Sequence, residues 1–368
     1  KTYTFKRDSY VVNVDYKVVN NTSEAFSAYP YAQFNRNNVT NGSHFIYTYT
    51  GPVFSNTGNE YEKVKFDDLD DKPFNQKATD GWAAMIEHYF VAAIVPEQNT
   101  EEKGYYARSI NGTNYTAGVR MPAISVAPGS EAQADYEMYL GPKKADRLEA
   151  VAKNLQLTVD YGIFTIISEP LFWVMEWLHK LTGNWGWSIV LLTVLIKLVF
   201  FKLSAASYRS MAAMRKLTPK LATLKERYGD DKQKFNQAMM DLYRTEKINP
   251  LGGCLPILVQ MPVFLSFYWV LVESIELRQA DFILWINDLT AMDPYFILPV
   301  LFGISMWIQQ SLNPAPQDPA QAMMMKFFPL VFTVFFAFFP SGLVLYWVVN
   351  NVLSIAQQWY ITRKMDAL

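Results

Sequence analysis

The sequence has little of what enzymes commonly use for chemistry. Its single cysteine, Cys254, excludes an intrachain disulfide and any metal site built from paired cysteines. Its histidines, His44, His88 and His179, are far apart and lack the spacing of metal ligands. No nucleophile elbow, HExxH zinc motif, P-loop or dinucleotide fingerprint is present, and the acids are too scattered to suggest a glycosidase pair. We therefore expect no metal, no cofactor and no catalytic residue, and interpret the chain as a protein other than an enzyme.

An excess of charge of one sign is also absent, because 33 basic residues nearly balance 34 acidic ones. The net charge of −1 gives no electrostatic reason to expect nucleic acid. Mean hydropathy is near zero although 51% of the residues are hydrophobic, because two unlike halves are averaged. The chain opens on Lys1 with neither a methionine nor a signal-like run. We therefore expect an anchor or signal N-terminal to it.

Short runs in the first half alternate apolar and polar residues between turns rich in Asn, Gly and Pro. The runs are YVVNVDYKVVN (10–20), HFIYTYTG (44–51), YEKVKF (61–66) and ADYEMYLG (134–141). An alternation with a period of two residues is typical of half-buried antiparallel strands. The pattern predicts an all-β sandwich over residues 1–158. A sugar- or peptide-binding module, with the second half as its anchor, is one open interpretation.

The second half, residues 184–368, carries apolar runs that are long enough to cross a membrane. The predicted spans are 187–206, 250–275, 294–312, 323–340 and 342–362. The loop between the first two spans is basic, which places it in the cytoplasm by the positive-inside rule. The next loop is acidic and is expected outside, and Arg363 with Lys364 return the C-terminus to the cytoplasm. Five crossings therefore join an exported first half to a cytoplasmic C-terminus.

Two further segments have helical patterns of their own. Within the cytoplasmic loop, 207–248, apolar residues recur at three- and four-residue spacing, which predicts a helical hairpin turning at 229–231. Mutual shielding of two charged helices and a surface that receives a client are both open interpretations of it. The segment 159–183 has a wide apolar face, and its length and charges favour an interfacial helix on the membrane surface. In that helix Ser168 is expected to cap the first turn and Pro170 to lie within it.

Lys197 lies near the middle of the first span, WSIVLLTVLIKLVFFKL (187–203). A lysine at that depth costs about 2.5 to 3.5 kcal/mol on insertion scales, so it is a candidate functional residue. Thr193 and Ser204 lie four residues before and seven residues after it, which predicts one shared helical face. No acidic residue lies near the centre of a span, and we therefore expect a water-containing cavity rather than a buried ion pair. Such a site suits negatively charged, otherwise apolar polypeptide.

Further along the chain, three runs carry a family resemblance. They are DDKQKFNQAMMDLYRTEKINPLGGCLPILVQMPVF (230–264), ELRQADFILWINDL (276–289) and FPSGLVLYWVVNN (339–351). With these motifs the chain resembles the YidC/Oxa/Alb family of membrane protein insertases, of the Gram-negative type with a large periplasmic domain. The resemblance implies a multidomain membrane protein: a β-supersandwich in the periplasm, an α-helical insertase core of five transmembrane helices and a cytoplasmic helical hairpin. It also implies that the family's first transmembrane helix and the start of its periplasmic domain are not part of this sequence.

The same resemblance implies roles for particular residues. A hydrophilic groove in the membrane, open to the cytoplasm and to lipid, would hold the positive charge of Lys197, where the family usually has arginine. Thr193 with Tyr346 and Trp347 would contact an incoming segment, and Ser204 shares the face of Lys197. A further set would form an apolar slide along which a client helix reaches lipid, although plain helix packing is the alternative from spacing alone. That set is Met261, Pro262, Phe264, Met306, Phe335 and Phe336.

The function that follows from the resemblance is insertion and folding of inner-membrane proteins, alone or with the Sec translocon. The implied partners are nascent membrane proteins, Sec translocon components, the ribosome and membrane lipids, with no nucleic acid read directly. The implied location is the bacterial inner membrane, with residues 1–158 in the periplasm. A polytopic transporter with an extracytoplasmic binding domain is the alternative. The sequence lacks the intramembrane acids and inverted repeats that are typical of such transporters.

Overall fold

The computed structural model describes residues 1–38, 48–228, 231–246, 248, 255–313 and 319–366. The chain divides into two compact units. The first comprises Lys1–Asp160 with Glu273–Glu276, and the second comprises Tyr161–Val272 with Leu277–Leu368. His44, Cys254, the predicted turn at 229–230 and the start of the second predicted span lie outside the described residues.

Strands make up most of the first unit. In chain order they are β1 (Thr2–Phe5), β2 (Val11–Val19), β3 (Phe26–Ala28), β4 (Tyr31–Asn37), β5 (Gly51–Asn56), β6 (Asn59–Lys63), β7 (Phe74–Ala78), β8 (Trp82–Ile86), β9 (Phe90–Pro96), β10 (Lys103–Ser109), β11 (Asn114–Arg120), β12 (Ile124–Val126) and β13 (Glu131–Pro142). The short helices α1 (Phe66–Asp71) and α2 (Ala145–Val151) accompany them. The predicted all-β sandwich is confirmed.

The strands form two antiparallel sheets that pack face to face. One sheet has the order β1-β2-β13-β9-β8-β5-β6, and the other has the order β4-β11-β10-β7. The buried cluster between them takes Val14 and Ile94 from the first sheet, and Ala107 and Val119 from the second. β12 pairs separately with β3. The core of the sandwich therefore lies between the sheets.

β2 illustrates why these sequences form strands. In VVNVDYKVV the side chains of Val12 and Val14 are buried, whereas those of Asp15 and Lys17 are exposed. Successive side chains of a strand point to opposite faces, so this alternation places one apolar row on the core. The register pairs Val14 with Tyr136 of β13, which is a contact across more than a hundred residues.

Helices make up the second unit. They are α3 (Thr165–Thr182), α4 (Trp185–Val199), α5 (Phe201–Lys216), α6 (Thr218–Tyr228), α7 (Lys232–Thr245), α8 (Leu255–Glu273), α9 (Ile297–Ser311), α10 (Pro319–Phe336) and α11 (Ser341–Asp366). α11 packs against α4, α5 and α9, and α9 also packs against α10. α11 is therefore the central helix of this unit.

The first predicted span is not one straight helix. α4 ends at Val199, and α5 continues at an angle of 68°. Beside the break, the Gln357 side chain donates to the Phe201 carbonyl at 3.1 Å, and a side chain that enters a helical hydrogen-bond ladder is a known cause of kinks. Within the described residues, this bent pair has the length and apolar character needed to cross a membrane, whereas no single helix meets both criteria alone.

Two local predictions about α3 are wrong. Ser168 does not cap a helix, because α3 already begins at Thr165, and the Ser168 hydroxyl instead donates to the Ser266 carbonyl at 3.1 Å. Pro170 consequently lies inside α3 rather than in its first turn. The first helix of the predicted hairpin is also interrupted, because α5 ends at Lys216. Pro219, in the first turn of α6, cannot donate the backbone hydrogen bond that would continue α5.

Candidate functional site

A recess of about 330 Å³ lies among α4, α5, α8, α9, α10 and α11 in the helical unit. Among the described residues, Lys197 on α4 lines it with a cationic side chain, and the other polar side chains of the lining are neutral. They include the amides of Gln260, Gln309, Gln310, Asn313, Asn350 and Asn351 and the hydroxyls of Ser204, Ser207, Tyr208, Tyr346 and Ser354. In the part of the chain that the structure describes, no acidic side chain lines the recess.

Several of the amides are held by hydrogen bonds between helices. Gln260 of α8 donates to the Asn350 side chain at 3.2 Å, and Asn351 donates to Ser305 of α9 at 3.1 Å. Asn350, Asn351 and Ser305 are all buried. Because each pair joins α11 to a neighbouring helix, the amides fix the walls of the recess as well as making them polar.

Lys197 reaches the recess from the last turn of α4 and is only 8% exposed. Its ammonium donates to the Ser354 hydroxyl on α11 at 2.6 Å. Glu273, at the outer end of the second predicted span, instead pairs with Lys143 at 3.0 Å within the first unit. Lys197 makes no ion pair within the described residues. In this part of the chain its charge is therefore uncompensated by an acid, and the described lining of the recess contains no carboxylate.

The predicted groove residues divide into two groups. Lys197, Ser204, Tyr346 and Trp347 line the recess together. Thr193 is buried outside the lining, and its hydroxyl donates to the Ile189 carbonyl of the same helix at 2.7 Å. The four-residue spacing predicted that Thr193 shares the face of Lys197. Thr193 lies one helical turn before Lys197, and there neighbouring side chains cover that face of α4.

The aromatic residues near the recess form one contacting group. Trp347 lies 4.8 Å from Phe264 between ring centroids, and Tyr346 lies 4.8 Å from Phe267. Phe336, at 6.1 Å from Trp347, is buried behind this group and does not line the recess. The indole N–H of Trp347 has no hydrogen-bond partner among the described residues. Tyr346 is fully buried, so its ring forms part of the wall.

The predicted apolar slide is divided in the same way. Met261, Phe264 and Met306 line the recess beside the polar residues. Pro262 and Phe335 are exposed outside it. The recess is therefore amphipathic, with apolar side chains of α8 and α9 facing the same space as the lysine.

The sequence alone indicated no lining role for Ser354, for the amides or for Tyr208. The sequence did contain a signal for a polar face on α11, because Asn350 and Ser354 are four residues apart and lie on the same side of a helix. No signal within α4 or α11 could pair Lys197 with Ser354, because the two residues are 157 positions apart.

Comparisons with known proteins cover both units. The profile of the 60Kd inner membrane protein family matches residues 177–367, and that of the YidC periplasmic domain matches residues 1–174. The membrane protein insertase YidC of Nitrosococcus oceani is 58% identical over 367 residues, covering 100% of this chain and 67% of its own length. The membrane protein insertase YidC of Methylococcus capsulatus is 53% identical over 369 residues, and the match covers 100% of this chain and 68% of that protein. The chain thus spans about two thirds of the length of these relatives.

A solved structure of an active YidC insertase, with its first transmembrane domain resolved, overlaps 84% of this chain and 83% of its own. At 20% identity and a TM-score of 0.49, that overlap carries no argument about the site. The identities and profile matches favour the insertase interpretation and give no support to the transporter alternative. The chain belongs to the 60Kd inner membrane protein family, whose curated relatives are named membrane protein insertase YidC, and it carries the periplasmic domain of these proteins.

Proposed function

We propose that this chain inserts membrane proteins into the inner membrane and helps them to fold, and that the recess receives the client. The observation that carries the proposal is the composition of the described lining of the recess, in which the uncompensated Lys197, neutral amides and apolar side chains face a single space. The amides, here called the amide wall, are those of Gln260, Gln309, Gln310, Asn313, Asn350 and Asn351. A membrane-protein segment has the same mixture, an apolar helix with polar or charged flanks. The recess therefore offers a partner to each part of such a client.

In this proposal Lys197 holds the acidic flank of a client for a short time. A charge in a medium of low dielectric constant attracts an opposite charge more strongly than it would in water. Because no carboxylate of the described lining competes, a client carboxylate is free to bind the ammonium. The amides supply hydrogen bonds to neutral polar groups of the flank, which would otherwise be costly to remove from water.

Burial of the client's apolar surface supplies the driving force for insertion. Moving the client helix from water into lipid gains about 25 cal/mol for each Å² of apolar surface buried. Met261, Phe264 and Met306 line the recess next to the polar groups, so a client helix can leave along them while its flank is still bound. We propose that the exposed side chains of Pro262 and Phe335 contribute at the lipid side of this path, and that the buried Phe336 packs behind them. No nucleotide, metal or cofactor is needed, and the protein acts without enzymatic chemistry.

The membrane arrangement follows the charge pattern of the sequence. We propose that the bent pair α4 and α5, together with α8, α9, α10 and α11, crosses the membrane. The hairpin of α6 and α7 would lie in the cytoplasm, and α3 would lie along the outer surface. On this outer side α3 exposes Ile166, Trp173 and Leu181, a spacing that places all three on one face. Residues 1–158 would lie in the periplasm.

The partners proposed for the chain are nascent membrane proteins, membrane lipids, Sec translocon components and the ribosome. The basic hairpin is the surface that a ribosome with an emerging chain would meet first. Among its charges, Lys220 is paired with Glu246 at 2.5 Å, and Arg227 lies in the last turn of α6. Charge complementarity of this kind raises the rate of encounter more than the final affinity.

Reconstitution tests the proposal. The full chain is placed in liposomes, and a single-span client with an acidic translocated tail is added; insertion is measured as protection of the tail from protease. Wild-type protein should protect the tail well above empty liposomes. Lys197→Ala should reduce protection severalfold, whereas Lys202→Ala should not, because Lys202 is exposed outside the recess.

Two outcomes would contradict different parts of the proposal. Protection equal to that in empty liposomes would refute the insertase function. Full protection with Lys197→Ala would refute the electrostatic part alone and leave insertion through the amide wall. Photo-crosslinking to a stalled client separates these cases further: Trp347 and Met261 line the recess and should crosslink, whereas buried Thr193 should not.

A further inference from the structure

The Lys197 ammonium ends on one hydroxyl group, that of Ser354. The Nζ to Oγ distance is 2.6 Å, and the two residues are 8% and 3% exposed. They come from α4 and α11, so the bond exists only in the packed helical unit. Among the described residues this is the hydrogen bond that the ammonium makes, which leaves two of its three N–H groups for a client.

Ser354 is fixed as an acceptor toward the lysine. Its own hydroxyl proton is donated to the Asn350 carbonyl at 2.7 Å. A serine hydroxyl has one proton and two lone pairs, so both lone pairs remain for donors. Lys197 takes one of them. The hydroxyl proton therefore points away from the lysine, and an oxygen lone pair faces the ammonium.

A neutral acceptor has a different effect on the lysine from that of an acidic one. The side chain of lysine is a flexible stem of four carbons, and without a partner its charged end moves toward water. A carboxylate at the same place would hold the ammonium but would also cancel its charge. Ser354 holds it and leaves the charge intact, in a recess whose described lining contains no acid.

We propose that Ser354 is a positioning residue that keeps the Lys197 ammonium in the recess and thereby sets the preference for clients with acidic flanks. The inference rests on the proposed insertase function. Plain helix structure is the competing explanation, because a serine hydroxyl bonded to the carbonyl four residues earlier is common in buried helices. Ser266 makes that bond to Pro262 at 2.7 Å, is buried, and lies outside the recess lining. It is therefore a matched control.

The experiment compares two clients that differ only in their translocated tail, acidic in one and neutral in the other. Insertion rates are measured against client concentration for the full chain in liposomes. Ser354→Ala should raise the half-saturating concentration of the acidic client about tenfold, the loss expected for one hydrogen bond to a charged group. The neutral client should be unaffected. Ser354→Thr keeps the hydroxyl and should restore the preference, and Ser266→Ala should behave as wild type.

Two further variants test the mechanism. Ser354→Asp should abolish the preference for the acidic client, because it places a carboxylate against the ammonium. In a Lys197→Ala background, Ser354→Ala should have no additional effect on that preference.

The inference is overturned if Ser354→Ala keeps the wild-type preference. It is also overturned if Ser354→Ala reduces the insertion of both clients equally and Ser354→Thr does not restore it. Wild-type protein that inserts neither client would instead refute the proposed function. The two failures are therefore distinguishable, because the first is read as a ratio between clients and the second as an absolute rate.

Discussion

The start of α9 depends on one buried carboxylate, that of Asp293, which is 1% exposed. One of its oxygens accepts from the Trp285 indole N–H and the Tyr295 amide, each at 3.0 Å. The other oxygen accepts from the Leu298 amide at 2.7 Å, in the first turn of α9. Asp293 therefore satisfies a helix N-terminus and the preceding loop together, and its negative charge also suits the positive end of the helix dipole.

The cost of replacing Asp293 can be worked out bond by bond. Asp293→Asn keeps the shape and one acceptor oxygen, which can serve Trp285 and Tyr295. The new NH₂ group then faces the Leu298 amide, so one hydrogen bond to a charged group is lost and two donors meet. Such a bond is worth about 1.5 to 3 kcal/mol, and we expect destabilisation of about 2 to 3 kcal/mol. Asp293→Ala loses all three bonds and should cost more.

Thermal unfolding of the full chain in detergent measures this effect. For a unit of this size about 2 to 3 kcal/mol corresponds to a fall in Tm of about 4 to 12 °C. Asp281→Asn is the control, because Asp281 lies in the same loop but is exposed, and exposed substitutions usually change stability by about 0.5 kcal/mol or less. A Tm for Asp293→Asn equal to that of the control would refute the reasoning, since it would mean that the buried acceptor is dispensable.

Two other predictions concern stability. Burial raises the pKa of Tyr139 to about 12 from its ordinary value of 10, and its hydroxyl donates to the Pro142 carbonyl. The neutral form is favoured in the fold, so its stabilisation should be full below pH 10 and lost as pH rises through about 12. Tyr139→Phe should flatten the stability of the sandwich across that window in alkaline titrations followed by near-ultraviolet circular dichroism; an unchanged slope would contradict the assignment. Gly303→Ala would place a Cβ atom 1.9 Å from the Thr333 hydroxyl, so it should separate α9 from α10 and cost about 1 to 3 kcal/mol in thermal unfolding. Thr333→Ala in the same chain should recover part of that loss, and no recovery would contradict a clash at this contact.

The sandwich was predictable because its signal is local. Val12 and Val14 alternate with polar residues within one strand, and a period of two residues needs no knowledge of the partner strands. The register was not predictable, because the pairing of Val14 with Tyr136 joins residues that only the completed sheet brings together. Sheet order depends on such pairings, so it could not be read from the runs alone.

In the helical unit the limit of prediction lies at the packing between helices. The energetic cost of a buried charge was enough to single out Lys197 from sequence. The bend after Val199 left no local signal, because no proline or glycine is present there, and the neighbouring Gln357 side chain comes from α11. The break before Pro219 did have a signal, which the apolar spacing across it obscured. At Ser168 the local signal was misleading. Serine is typical of helix caps, but this hydroxyl instead makes a hydrogen bond to α8.

Because the amide wall makes the recess polar, the charge of Lys197 is not needed for that purpose. If charges made the recess polar, each would need a partner, and its removal would leave another charge buried and unpaired. Neutral amides can be satisfied by one another, as Gln260 is by Asn350, and still exchange these bonds for bonds to a client. A single lysine held by a neutral hydroxyl then adds a preference between clients to a path that the amides already keep polar. The charge should therefore decide which flanks enter readily, and the amides should decide whether any polar flank enters at all.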